Sequence, residues 1–516
     1  MTLSKENLAN LPAELSKALD YVLETLTTAE YYGHTVSILN YDRETICPEK
    51  AIEEQGDLMA FMENQAFRLL KDPHFIEEGE YLYAHRNELS EGLRVLAELL
   101  HRDYLKTADI TPEMNLEFSK TYNKAFGDWL QAKEKSDFSL FADSLAKVRE
   151  ANLKDVSLRR FEEDRKPATS YDVLLDDYER GMTTADLDEA FGECRERLVP
   201  LLGKIRKSPK KIRTDFLSRT VTDEQQKQMA DYLLRTIGFD FKRGAISTAE
   251  HPFTDGLGRN DARITTHYYP DMFSSSMFSV IHEGGHALFE QLQPQADYKN
   301  HITRIKTMGQ HESVSRFYEN RIGRSEEFIH LIYPETKKIF PQVFEDVSER
   351  EFYEAMNLVE PSLIRTEADE FTYTFHIIIR YEIEKRIVNG NAKIEELPAL
   401  WNDLYEKYLG IRPDSDRNGI LQDVHWTGGF GYFPAYAIGN MYNAMYTAQM
   451  EKELDLSAAV SGGDFEAIND WMAANVFAKA DTLAPKDWIR DITGREFTPK
   501  DFLDYIEKKY MALYEL

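Results

Sequence analysis

The chain has 516 residues, 62 of them basic and 90 acidic, for a formal net charge of −28. That balance argues against a broad nucleic-acid or anionic-lipid footprint, since both need a basic face. The length supports a large apolar core, and a soft prior of about 150 residues per domain would allow roughly three domains.

In chain order, the opening MTLSKENLANLPAELSKALDYV is charged throughout and lacks the apolar run of about 7–15 residues that marks a signal peptide. No later stretch approaches the roughly 18 uncharged apolar residues of a membrane span. Only Cys47 and Cys194 occur, which fits a reducing compartment. The expectation is a cytoplasmic protein with neither a membrane nor a nucleic-acid partner.

Most of the chain predicts helix, with apolar residues recurring at three and four. Leu93, Val95, Leu96, Leu99 and Leu100 outline one such stripe, and Pro112 suits a helix start. No linker breaks the first 200 residues and no solenoid period emerges. Between Ile237 and Tyr269 the texture changes. A β-favouring run from Ala262 to Tyr269 predicts a short sheet or hairpin, with turns at Asp255-Gly256 and at Gly258-Arg259-Asn260. A second loop-rich stretch runs from Gly410 to Gly439. The expected fold class is mainly α: one large helical body with a small β element beside the site.

The central signal is His282-Glu283-Gly284-Gly285-His286. At about 100° per residue the two histidines lie about 40° apart on one helix face, so their imidazoles can converge on one zinc ion. Glu283 is poorly placed as a ligand but well placed to take a proton from a nucleophilic water. Ile281, Leu288, Leu292 and Met277 bury the helix, with Pro270-Asp271 as its expected start. Adjacent glycines cost roughly 1 kcal/mol each against alanine, a cost that makes sense if backbone or substrate approaches closely.

A catalytic zinc needs a third protein ligand. Glu312, on a helix-like segment, is the best candidate, with Glu290 and Glu319 as competitors. Glu312 could equally be an ordinary helix residue paired with Arg316 at i+4, and periodicity leaves this open.

Five motifs then line up in order: His251-Pro252-Phe253, the HEGGH pentapeptide, His311-Glu312-Ser313 running on to Ser315-Arg316, Ile364-Arg365-Thr366-Glu367-Ala368-Asp369, and Gly419-Ile420-Leu421-Gln422-Asp423-Val424-His425-Trp426. Together they resemble the carboxypeptidase Taq family of metallocarboxypeptidases, as does Leu39-Asn40-Tyr41-Asp42 further upstream. Two departures stand out: His251 where the family often has Asp, and Tyr41 where it often has Trp. The resemblance implies a neurolysin-like (gluzin) architecture, with long helices around a deep groove and the sheet lining one wall. It implies zinc or cobalt, Glu312 as third ligand, a homodimer, and peptide substrates with a free C-terminus. The whole of 1–516 is then one metallopeptidase domain, with residues 1–200 as a groove wall or lid and 201–516 as the catalytic part.

Chemical need fills in the remaining roles. A tetrahedral oxyanion requires donors, for which His425, Tyr432 and Tyr436 are candidates, although aromatic clusters such as the one holding the tyrosines are more often core than catalytic. Arg365 suits the substrate carboxylate through two parallel hydrogen bonds, with Asp369 at i+4 as its alternative or orienting partner. Arg263 is a second carboxylate candidate, and His251 a further substrate-side one. Asp423 and Ser313 are candidates to orient ligand histidines. Two other readings compete: a helical oligoendopeptidase or dipeptidase, and a catalytically dead binding protein, against which the intact Glu283 argues.

Overall fold

The computed structural model of the chain describes residues 11–162, 167–294, 307–480 and 482–516. Six helices come first: α1 Ala13–Thr45, α2 Ile52–Leu70, α3 Pro73–Ala84, α4 Glu91–Thr107, α5 Pro112–Lys135 and α6 Ser139–Leu158. Pro112 is the first residue of α5, and the Thr111 hydroxyl caps it by accepting from Met114 N. α7 Thr184–Ile205 and α8 Asp223–Ile237 follow, both opened by capping boxes, from Thr183 and Thr222.

Two apolar cores divide the chain. One is built from α1, α3 and α4, between Leu15 and Ala97. The other starts at Ala125 in α5 and runs to Tyr514. Trp129 of α5 and Phe141 of α6 thus belong to the same core as the C-terminal residues.

The sheet has strands β1 Gly244–Thr248, β2 Thr254–Gly258 and β3 Asp261–Thr266, in the order β1-β3-β2. β3 is central, parallel to β1 and antiparallel to β2. The turn at Gly258-Arg259-Asn260 joins β2 to β3 as expected. Asp255-Gly256 is not a turn: it lies inside β2, opposite Arg263 and Ala262. Gly256 is small for another reason, since a Cβ there would fall 2.8 Å from Glu290 Cγ. β3 also ends at Thr266, three residues before the predicted limit.

The buried side of β3, Ala262 and Ile264, faces α9 Phe273–Gln291. α9 starts two residues later than Pro270-Asp271 suggested. α10 Met308–Arg316 is capped by Thr307 and runs directly into a π-helical stretch, Phe317–Ile322. α11 Glu370–Val388 and α12 Pro434–Glu453 are buried on nearly all sides and form the centre of the body. Among the described residues no helix is long and apolar enough to cross a membrane.

Candidate active site

α9 and α10 carry the heart of the site, and glycine sets their separation. A Cβ on Gly285 would stand 2.8 Å from Ser315 Cα on α10, and one on Gly284 would stand 2.7 Å from Ile237 Cδ1 on α8. The paired glycines thus admit neighbouring helices rather than substrate.

This close approach gathers His282, His286 and Glu312, whose ligand atoms all lie within 4.8 Å of one another. Glu312 Oε2 is 3.7 Å from His282 Nε2 and 3.6 Å from His286 Nε2. Its other oxygen accepts from Arg316 Nε at 2.6 Å, so the pairing with Arg316 at i+4 leaves Oε2 turned toward the two histidines. Burial works to raise the Glu312 carboxyl, but Arg316, His282 and His286 hold it well below the usual carboxylate range.

The two competitors for third ligand serve the far side of the imidazoles instead. Glu319 Oε2 meets His282 Nδ1 at 2.8 Å. His286 Nδ1 meets His311 Nδ1 at 2.6 Å, and His311 Nε2 meets Glu290 Oε1 at 3.1 Å. With the Nδ1 side of each ring engaged in this way, Nε2 of each is the atom turned toward Glu312. Two imidazoles and one carboxylate are a fitting donor set for a divalent ion. The Ser313 hydroxyl donates to Gln310 O inside α10 rather than to a histidine.

Glu283 points toward the sheet, where the Thr254 hydroxyl donates to Oε2 at 2.6 Å. Edge strand β2 therefore fixes the glutamate that lies next to His282 in α9. Nothing in the sequence marked Thr254, because its partner lies 29 residues away.

Arg365 is buried in a short helical turn, Arg365–Glu367. Its Nε donates to Asp423 Oδ1 at 3.0 Å and its Nη1 to the Tyr373 hydroxyl at 3.1 Å. Asp423 Oδ2 also accepts from Arg380 Nε at 2.7 Å. Asp369 does not pair with Arg365; it caps α11, accepting from Thr372 N at 2.9 Å. Asp423 orients arginines, not a ligand histidine. The Tyr373 ring lies 4.1 Å from the Arg316 guanidinium, so one tyrosine separates the arginine cluster from Glu312.

His425, Tyr432 and Tyr436 close the far side. His425 Nε2 lies 3.3 Å from the Tyr436 hydroxyl. Burial drives the His425 imidazole down to about 4, with Arg365 and Arg380 adding to the push and Asp423 opposing it. Burial raises both phenols, and the nearby Glu312 carboxylate reinforces this. All three side chains are thus neutral near pH 7.

Two candidates stand apart. His251 is exposed just ahead of β2. Arg263 sits on the central strand and forms a two-pronged pair with Asp261, both contacts 2.9 Å, beside the Tyr41 ring of α1. That engagement ties the sheet to the N-terminal helices.

Two imidazoles and a carboxylate on adjoining helices, with a glutamate held next to them, define a metal-dependent hydrolase. A model of the family described as Carboxypeptidase Taq (M32) metallopeptidase matches residues 21–510. Carboxypeptidase 1 of Bacillus subtilis is 37% identical over 495 residues, spanning 96% of this chain and 98% of that protein. Thermostable carboxypeptidase 1 of Thermus thermophilus is 34% identical over 507 residues, spanning 96% and 99%. The crystal structure of the M32 carboxypeptidase from Deinococcus radiodurans R1 gives a TM-score of 0.92 at 30% identity, covering 98% of this chain and 100% of that one. The chain belongs to the carboxypeptidase Taq (M32) family of metal-dependent carboxypeptidases.

Proposed function

We propose that His282, His286 and Glu312 hold a zinc ion, with cobalt as a working substitute, and that Glu283 is the general base. A divalent ion held there supplies Lewis acidity and makes a nucleophilic water available near neutral pH. Glu283, steadied by Thr254, takes the proton of the attacking water and returns it to the leaving amine. Neutral His425 and one or both of Tyr432 and Tyr436 donate to the developing oxyanion.

The observation that carries the exopeptidase reading is a charge count. Arg365 and Arg380 place two positive charges on the one carboxylate of Asp423 in a buried cluster, and the Glu384 carboxyl acts on Arg380 without pairing with Arg365. A substrate's terminal carboxylate completes that cluster, gripped by Arg365. His251 is at most peripheral to this grip, and Arg263 is already engaged.

The enzyme acts on peptides with a free C-terminus, as a homodimer in the cytoplasm. Exposed Tyr31, Ile38, Leu58, Phe61 and Phe67 on α1 and α2 support association, and the unpaired Cys47 and Cys194 support a reducing compartment. The test is a matched pair of peptides, one with a free and one with an amidated C-terminus, followed by product mass. Stepwise C-terminal loss from the free peptide alone, stopped by chelator and restored by zinc, is expected. Internal fragments from both peptides would point instead to an oligoendopeptidase.

A further inference from the structure

The stretch carrying His425 and Tyr432 is rich in glycine. Its residues 428–432 read Gly-Gly-Phe-Gly-Tyr, and Gly431 adopts φ +99°, where a Cβ would stand 2.8 Å from the Leu174 backbone. Such a chain does not fix its own path; its position has to come from outside. One side chain supplies that from α11. The Glu384 carboxylate is fully buried and accepts three bonds. Trp426 Nε1 donates to Oε1 at 2.8 Å, Gly431 N to Oε2 at 3.1 Å, and the Tyr171 hydroxyl to Oε2 at 2.7 Å. Trp426 directly follows His425, and Gly431 directly precedes Tyr432. The two loop contacts thus pin the segment at both ends, one next to His425 and the other next to Tyr432.

We infer that Glu384 is a positioning residue, holding His425 and Tyr432 in register with the metal shell through its grip on Trp426 and Gly431. The inference rests on the roles proposed above for those two residues. The chemistry of the acceptor favours it. All three partners are donors, so only a carboxylate, with two acceptor oxygens and no hydrogen, serves them together. Burial pushes this carboxyl up to about 7, against the lowering effect of its three donors. An ionisable group held at such a cost in the centre of the body is more than packing. Glu384→Gln keeps the shape but puts an NH2 against at least one of these donors.

The test measures bound metal, amide hydrogen exchange over 425–433, and kcat and KM for Glu384→Gln in the full-length protein. The expected result is wild-type metal content, faster exchange in that segment, and kcat lower by about 10- to 100-fold with KM nearly unchanged, because misplaced oxyanion donors weaken only the transition state. With Tyr432→Phe already present, Glu384→Gln should cost much less than it does alone. Unchanged exchange in the segment, or faster exchange with wild-type kcat, overturns the inference. If Glu384→Gln does not fold, Trp426→Phe removes one of the two loop contacts, and the same two outcomes decide. Wild-type rates in His425→Gln and Tyr432→Phe would instead sink the roles proposed for those residues, while exchange in Glu384→Gln still reports on the clamp.

Discussion

His282 is held from both sides: Nδ1 meets Glu319 Oε2 at 2.8 Å, and Nε2 stands 3.7 Å from Glu312 Oε2. The two glutamates are seven positions apart on a helix that turns from α to π geometry, and both reach one ring. The donated Nδ1–H fixes the tautomer that frees Nε2 for a metal. Glu319→Gln weakens that donation, so metal affinity should fall by about 10- to 100-fold. Competition against a chelator of known affinity measures this; unchanged affinity would show that Glu319 only balances Arg316 and Arg324.

Gly285→Ala sets two effects against each other. Helix propensity favours alanine by about 1 kcal/mol, while a Cβ placed 2.8 Å from Ser315 Cα forces α9 and α10 apart. Overpacking against backbone costs about 1–3 kcal/mol, so the variant should be less stable in denaturant melts and should bind metal more weakly. A more stable variant would mean that the helices separate freely.

Arg365→Lys keeps the charge but cannot serve Asp423 and Tyr373 while gripping a carboxylate in two places. Losing a buried, hydrogen-bonded charge contact costs about 2–5 kcal/mol, so kcat/KM on a free peptide should drop roughly 30-fold or more. Steady-state kinetics on a series of unblocked peptides decides it; a drop below threefold would remove Arg365 from the grip.

Glu179 is buried at the start of α10, accepting from Gly309 N at 2.9 Å and the Tyr442 hydroxyl at 2.7 Å. Burial raises its carboxyl to about 7, from an unfolded value near 4.5. The folded state therefore holds the proton more tightly, and this group's contribution to stability falls as pH rises from about 4.5 to 7. At about 1.4 kcal/mol per pH unit the change is about 3 kcal/mol. Relative to the wild type, Glu179→Gln should gain stability by that order across the window. Denaturant unfolding at several pH values would show a flat difference if Glu179 were ionised throughout.

The sequence made the pentapeptide legible because its geometry is local: two histidines one turn apart share a face in any α-helix. Spacing made Glu312 a candidate ligand beside Glu290 and Glu319, and only the resemblance chose among them, since the contacts of Glu312 with α9 are tertiary. Glu319 and Glu290 carried a real signal that spacing misdirected, because periodicity says which face a residue is on but not which imidazole nitrogen it meets. Asp369 looked like the natural partner of Arg365 at i+4, yet Arg365 lies in a turn outside α11, and its partner Asp423 comes from 58 residues away. Thr254, Tyr373 and Glu384 gave no sequence signal at all. Asp255-Gly256 resembled a turn, although its glycine answers to the bulk of Glu290 rather than to backbone direction. Parallel strand β1 was missed for a similar reason: its pairing with β3 leaves no local mark.

The most direct test of the account is metal content and turnover of Glu283→Gln, measured on the same preparation. With Glu283 proposed as the base and not as a ligand, metal should remain at the wild-type level while turnover falls by about 10²- to 10⁴-fold. Wild-type turnover with metal in place, or loss of the metal itself, would contradict the role of Glu283 as the base.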